Sequence, residues 1–106
     1  MEKLTKFDVA EYLDTNELQT LYLDEVAKEN DSAAFIKAID TVARAKGMTK
    51  TAKEAGISRE GLYKALSPNG NPSFATVCKI LNAIGYTLVP MRTPEKKEGI
   101  KGMTQI

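Results

Sequence analysis

Residues 48–67 decide the fold of this chain. They are Met48-Thr-Lys-Thr-Ala-Lys-Glu-Ala-Gly-Ile-Ser-Arg-Glu-Gly-Leu-Tyr-Lys-Ala-Leu-Ser67. Two short helices that cross steeply need a small residue in the first helix, a residue that accepts a left-handed backbone in the turn, and apolar residues that fix the pair to a core. Ala52, Gly56, and the apolar pair Ile57 and Leu62 meet these requirements. The stretch therefore predicts a helix-turn-helix.

The predicted motif runs from about Met48 to Leu66 and carries polar side chains on its outer side. Ser58 is placed to cap the second helix. Four residues of that helix are left facing outward: Arg59, Glu60, Tyr63 and Lys64. A plain helical hairpin would use Ala52 and Gly56 for packing equally well, but it does not explain an outer face of Arg, Tyr and Lys. The pattern favours DNA binding.

Helices are also predicted on both sides of the motif, from apolar spacing and capping residues. The first is a short helix from Asp8 to Leu13. The second begins at Thr15 or Asn16 and has apolar residues at helical spacing: Leu18, Leu21, Tyr22 and Val26. The third is capped by Asp31, ends at Gly47, and places these residues on one face: Phe35, Ala38, Ile39, Val42 and Ala43.

Beyond the motif, residues 67–72 concentrate turn-forming residues and predict a loop. Ser73 then caps a helix that ends at Gly85 and is expected to turn five apolar residues inward: Phe74, Val77, Ile80, Leu81 and Ile84. The segment Tyr86–Val89 predicts a strand. The expected fold is all-α: a repressor-like helix-turn-helix bundle with an N-terminal helical extension and one short C-terminal strand.

The 106 residues leave room for one domain, expected at residues 1–92. Residues 93–106 contain little that a core can bury, so we expect a mobile tail. The net charge of +1 conceals a division. Residues 1–40 carry ten acids and four lysines, whereas residues 41–106 carry eleven Lys or Arg and four Glu. Such asymmetry suggests two surfaces with different partners, the basic one suited to phosphate, although a small helical protein can also simply have charged faces.

The residue types present argue against an enzyme. The chain has no His, and it shows neither a metal-ligand cluster, a phosphate-cradling Gly loop nor a nucleophile beside a base. We therefore expect no catalytic residue, metal, cofactor or small-molecule ligand. Cys78 is alone, which suits a reducing cytosol, and no apolar run approaches the ~18 residues of a membrane span. A cytoplasmic protein without a membrane partner is expected.

Several segments together resemble the addiction-module antidote proteins, which are HigA-like antitoxins of bacterial and prophage toxin–antitoxin pairs. Thr49-Lys-Thr-Ala-Lys-Glu-Ala-Gly-Ile57 is similar to the helix-turn-helix of Cro and related phage repressors. The wider likeness covers about residues 4–90 and includes Phe7-Asp-Val-Ala-Glu-Tyr-Leu13, Ala43-Arg-Ala-Lys-Gly-Met-Thr49, Ser58-Arg-Glu-Gly-Leu-Tyr-Lys-Ala-Leu-Ser-Pro-Asn-Gly-Asn-Pro-Ser-Phe-Ala-Thr-Val77 and Leu81-Asn-Ala-Ile-Gly85. Gly61 departs from the serine that relatives usually carry.

The resemblance implies a homodimer that binds double-stranded operator DNA of its own operon and also holds a RelE-type toxin by direct contact. By position in the motif, it implies base-reading roles for Arg59, Glu60, Tyr63 and Lys64. It implies phosphate contacts for Thr49, Lys50, Lys53 and Asn71. A stand-alone phage-type repressor, or a helical interaction module without DNA binding, would also suit the motif.

The surface that binds the toxin stays open at this point. The acidic N-terminal third contains Phe7, Tyr12, Leu21 and Tyr22. These residues either cover a basic nuclease toxin, or fill a core while the acids keep the outside soluble.

Overall fold

Five α-helices and one short 3₁₀ helix make up the regular structure of the described chain. The structure is a computed structural model and describes residues 9–93. The 3₁₀ helix is Val9–Tyr12, and the α-helices are α1 (Asn16–Ala27), α2 (Ser32–Lys46), α3 (Met48–Ala55), α4 (Arg59–Ala65) and α5 (Phe74–Ala83). The predicted helices are thus present among the described residues, the first of them as a 3₁₀ helix, and α3 and α4 lie within the predicted motif.

Side-chain caps explain where most of these helices begin. Thr15, Asp31, Ser58 and Ser73 each accept a hydrogen bond from the backbone N–H three residues later, at 2.9–3.2 Å. Each such cap stabilises its helix by about 1 kcal/mol, because a helix leaves its first N–H groups without an internal partner. Gly47 precedes α3 instead, and no side chain among the described residues caps that helix.

The core lies where α2, α3, α4 and α5 meet. Its largest fully buried apolar side chains come from α2, α4, α5 and the residue that ends α5: Ile39, Val42, Leu62, Ile80 and Ile84. Leu13 and Leu23 attach the N-terminal part of the chain to the same cluster. α3 packs against α2, α4 and α5. The α3–α4 pair is therefore held in place by α2 and α5.

The packed face of α1 differs from the one that apolar spacing suggested. Gln19 and Leu23 are buried, whereas Leu18 and Leu21 are 43% and 60% exposed. Gln19 takes a packed position because its Nε2 donates a hydrogen bond of 2.8 Å to the carbonyl of Leu13. The spacing identified the helix correctly but not its inner side, because a polar residue with a backbone partner replaces an apolar one there.

Phe74 is also placed differently, and the expectation that it turns inward is wrong. Its side chain is 73% exposed, while Ile80 and Leu81 of the same helix are buried as expected. Phe74 lies in the first turn of α5, at the rim of an open groove of about 910 Å³ that Phe35 and Leu88 also line. Nothing in residues 9–93 fills that groove, so the ring remains in solvent.

The strand expected at Tyr86–Val89 is not formed in the single chain. A strand requires a neighbour for its backbone groups, and residues 9–93 contain no other strand. The segment is instead attached at its start: the backbone N–H of Tyr86 donates to the carbonyl of Leu81 at 2.8 Å, and its hydroxyl lies 2.8 Å from Thr20 Oγ1. Phe7, Asp8 and the tail from residue 94 onward lie outside the described residues.

We expect Gly56→Ala to lower the free energy of unfolding by about 1–2 kcal/mol in urea denaturation, because Gly56 has φ 75° and an L-residue is strained there. A Cβ at this position would meet no atom within 4 Å, so the loss comes from the backbone alone. Gly56→Asn is the matched control and should lose less, since Asn adopts the left-handed region more readily. An equal loss for both variants would contradict this explanation.

Candidate nucleic-acid interface

The turn between α3 and α4 has a closed hydrogen-bond pattern. Gly56, in the left-handed conformation, donates its N–H to the carbonyl of Lys53 at 3.2 Å, and Ile57 donates to Ala52 at 3.1 Å. These two bonds form a Schellman motif, which satisfies the last carbonyls of α3. Ala52 is 3% exposed, so its small side chain lies within the packed part of the helix pair. The direction in which α4 leaves the turn is thereby fixed.

The start of α4 is fixed by Ser58. Its Oγ accepts a hydrogen bond of 2.9 Å from the N–H of Gly61. Leu62, fully buried, anchors the middle of the helix to the core. A Cβ at Gly61 would lie 3.0 Å from Ser58 Oγ, which is a tight contact with the capping atom itself. Glycine at this position therefore leaves the cap undisturbed, although it lowers the intrinsic helix propensity of α4.

The outward side of α4 carries the four side chains that the sequence placed there. Arg59, Glu60, Tyr63 and Lys64 are all exposed. They lie at positions i, i+1, i+4 and i+5, so they form one continuous stripe along the helix. The stripe has a positive side chain at each end, and between them lie a carboxylate and an aromatic ring. Such a surface can contact both phosphates and the edges of bases.

Arg59 is held in place by two neighbours. Its Nη1 donates to Thr49 Oγ1 at 3.0 Å, and its Nη2 donates to the Tyr63 hydroxyl at 3.1 Å. The guanidinium carbon also lies 5.4 Å from the centroid of the Tyr63 ring, within the range of a cation–π interaction. Thr49 belongs to α3, so this network joins the outer surfaces of the two helices. The i, i+4 spacing of Arg59 and Tyr63 is visible in the sequence, whereas the contribution of Thr49 is not.

Of the other residues assigned to phosphate, two lie on α3 and one lies in the loop after α4. Lys50 and Lys53 are exposed on α3. Asn71 lies in the loop after α4, where it lines with Lys64 and Asn69 an open groove of about 620 Å³. Asn69 was not singled out from the sequence, because nothing in a turn-rich loop distinguishes one Asn from another. Thr49 differs from these side chains, since its hydroxyl contacts Arg59.

The loop keeps its place beside α4 because Gly70 has no side chain. A Cβ there would collide with the carbonyl oxygen of Lys64 and lie 2.6 Å from that of Ala65. Ser67 adds two contacts to this end of the helix: its Oγ donates to the Lys64 carbonyl at 2.9 Å, and its own carbonyl accepts from Gly70 at 2.9 Å. The asparagines of the loop are thus fixed next to the exposed stripe of α4.

Comparison of the chain with known proteins identifies its family. Residues 3–91 match a family model described as "Probable addiction module antidote protein". The chain belongs to this antidote family. An uncharacterized protein of Haemophilus influenzae is 51% identical to the antidote chain over 83 residues, which are 78% of this chain and 86% of that protein. No solved structure matches this chain.

Membership of an antidote family implies a toxin as partner, and such families are generally not enzymes. Within residues 9–93 of this antidote, no three His, Cys, Asp or Glu side chains are grouped so that they can hold a metal ion. None of its described helices is both long and apolar enough to cross a membrane.

We expect Ser58→Ala to lower the free energy of unfolding by about 1 kcal/mol, because α4 loses its cap. For a domain of this size that corresponds to a fall of about 4–8 °C in the melting temperature, measured by circular dichroism. Ser32→Ala is the control: Ser32 is exposed in the first turn of α2, which Asp31 caps, and the change should stay below about 0.5 kcal/mol. Equal losses for the two variants would show that the Ser58 cap is not what stabilises α4.

Proposed function

We propose that this chain is the antitoxin of a type II toxin–antitoxin pair. In this proposal it acts in the cytoplasm, where it represses its own operon through a Cro/repressor-type helix-turn-helix and neutralises a RelE-type toxin by direct binding. The family supports the antitoxin role. The observation that carries the DNA-binding role is the exposed stripe of α4, in which Arg59 is held ready by Thr49 and Tyr63.

In the proposed complex, α4 enters the major groove and α3 lies over the backbone, as in other helix-turn-helix proteins. Arg59 has five N–H donors, of which two are used by Thr49 and Tyr63. The remaining donors suit the acceptors O6 and N7 of guanine, and Glu60 can accept from cytosine N4. An arginine that is already ordered loses less conformational entropy on binding, which strengthens its contact.

Phosphate binding draws support from charge and from the free end of α3. Residues 41–93 carry eight Lys or Arg and two Glu, so this part of the chain is strongly basic. Lys50, Lys53 and Asn71 are all exposed. Gly47, which precedes α3, provides no side-chain cap. The N–H groups of the first turn of α3 are therefore available to a phosphate.

A homodimer is part of the proposal, because one short recognition helix buries too little surface for a tight specific site. Four exposed apolar side chains suit contact with a second copy. One lies at the start of α5 and three lie in the segment after it: Phe74, Leu88, Val89 and Met91. Segment 86–89 can pair with the same segment of the partner across a two-fold axis, which would supply the neighbour that it lacks in one chain. Two α4 helices would then reach successive major grooves about 34 Å apart.

Two experiments separate this function from the alternatives. A gel shift with the DNA upstream of the operon distinguishes a repressor from a helical interaction module, since the module would leave the DNA unshifted. The gene next to this one distinguishes an antitoxin from a stand-alone repressor. A reading frame that encodes a small RelE-type protein should adjoin it, and its product should form a complex with this chain.

Arg59→Ala and Lys53→Ala should weaken DNA binding in different ways. Arg59→Ala should cost about 1–3 kcal/mol on operator DNA and little on scrambled DNA, because it removes a base contact. Lys53→Ala should weaken both DNAs alike and lower the slope of log affinity against log salt by about one unit, because it removes a phosphate contact. Both side chains are exposed, so both variants should fold.

Titrations of the two variants on both DNAs at several salt concentrations give the measurement. Lys79→Ala, which removes an exposed lysine of α5 outside the α3–α4 pair, is the control and should bind as the wild type does. Equal losses on operator and scrambled DNA for Arg59→Ala would show that this side chain does not read bases.

The full chain should sediment as a dimer at concentrations that bind operator DNA. Phe74→Glu should shift it toward monomer and weaken operator binding, because it places a charge in the proposed interface. The ring is 73% exposed in one chain, so the melting transition of the monomer should remain cooperative. Leu21→Glu, a change of the same kind on α1, should stay dimeric. A wild-type monomer at these concentrations would refute the dimer.

A further inference from the structure

The outward side of α1 carries apolar side chains that no described element covers. Leu21 is 60% exposed and lies opposite the buried residues Gln19 and Leu23. Leu18, 43% exposed, lies one helical turn before it, and Tyr22 is half-buried at the margin. Leucines are rarely placed together in solvent without a partner, since each exposed apolar surface forgoes the free energy of burial.

Acidic side chains surround these leucines. Glu17, Asp24 and Glu25 lie four residues before, three after and four after Leu21, so they adjoin it on the helix. All seven acids between residues 9 and 31 are exposed, and Lys28 is the single base in that range. We call the two leucines and the three adjoining acids the α1 face.

Lys28 offsets part of the negative charge of the α1 face, because it contacts two of the three acids. Its Nζ lies 3.2 Å from Asp24 Oδ2 and 3.8 Å from Glu25 Oε2. The hydrogen bond to Asp24, with the charges of Asp24 and Glu25, holds the pKa of Lys28 above its ordinary value. Glu17, which adjoins Leu21 from the other end of the helix, is the acid of the α1 face that Lys28 does not contact, and the face keeps a net negative charge.

The charge of the α1 face restricts what can cover it. DNA and anionic lipid are repelled by a negative surface. A second copy that docked the same face across a two-fold axis would set the acids against themselves. A basic protein surface with an apolar centre satisfies both the leucines and the acids. A protein that cleaves RNA has such a basic surface, because it must bind a chain of phosphates.

We propose that the α1 face is the surface that binds the toxin, and that it does so by covering the toxin's basic RNA-binding surface around an apolar contact at Leu18 and Leu21. The inference rests on the proposed function for the existence of a RelE-type partner. α1 packs mainly against α2, whereas the stripe of Arg59 and Lys64 belongs to α4. Operator and toxin therefore bind to different helices of the same chain.

The test uses the product of the adjoining reading frame as the probe and the full-length chain as the binder. Leu21→Ser should raise Kd about tenfold, and the double variant Leu18→Ser with Leu21→Ser about a hundredfold, as for central apolar contacts of an interface. Glu17→Gln with Glu25→Gln should slow association and reduce its dependence on salt, with a smaller effect on dissociation. In cells, the double leucine variant should fail to relieve growth arrest by the co-expressed probe.

Two control variants change residues outside the α1 face. Lys79→Ala and Asn82→Ala each remove an exposed polar side chain of α5. Both should bind the probe as the wild type does. The leucine variants should keep the wild-type melting temperature within a few degrees, because surface changes cost little.

The outcomes separate this inference from the function on which it rests. Wild-type affinity in the double leucine variant would overturn the α1 face and leave the antitoxin function standing. Equal losses of binding in Lys79→Ala and in the double leucine variant would likewise overturn the α1 face, because the effect would not be specific to it. Failure of the wild-type chain to bind the probe at all would overturn the toxin partner and the α1 face together.

Discussion

The left-handed turn at Gly56 is the constraint on which the rest of the site depends. The N–H groups of Gly56 and Ile57 bond back to the carbonyls of Lys53 and Ala52, so α3 ends there and α4 leaves in one direction. With Leu62 buried below, the opposite side of α4 must face solvent. Every outward group of the site, Arg59 included, takes its place from these few backbone bonds. The scaffold of α2 and α5 keeps the pair from shifting as a unit.

Local chemistry explains why the sequence predicts so much of this arrangement. Caps such as Ser58 and left-handed turns such as Gly56 depend on residues within four positions of each other, which a single sequence displays. The helices and the outward side of α4 follow from them. The sequence fails where burial depends on groups outside that local range. The burial of Gln19 depends on the Leu13 carbonyl, and the exposure of Phe74 depends on the absence of a covering element in residues 9–93. Neither condition has a local signal.

The acidic and basic residues are divided between two parts of the chain. Seven of the ten described acids lie before α2, and eight of the ten described bases follow Thr41, so a chain with almost no net charge has an acidic and a basic part. Such a division costs stability at each end, because like charges repel, but it keeps partners of opposite charge on separate surfaces. In the proposals above, nucleic acid and a basic protein do not compete for one surface. The network of Thr49, Arg59 and Tyr63 lies wholly within the basic part.

The uncapped start of α3 links occupancy of the site to the stability of the fold. Thr15, Asp31, Ser58 and Ser73 complete their helices from within the chain, whereas Gly47 leaves the first turn of α3 to water. In the proposed complex a DNA phosphate supplies the missing cap, so the operator acts as a folding ligand for the helix that it contacts. Free antitoxin would then be the more easily opened, and more easily degraded, form of the protein. The lifetime of the antitoxin would depend on whether its own promoter is occupied.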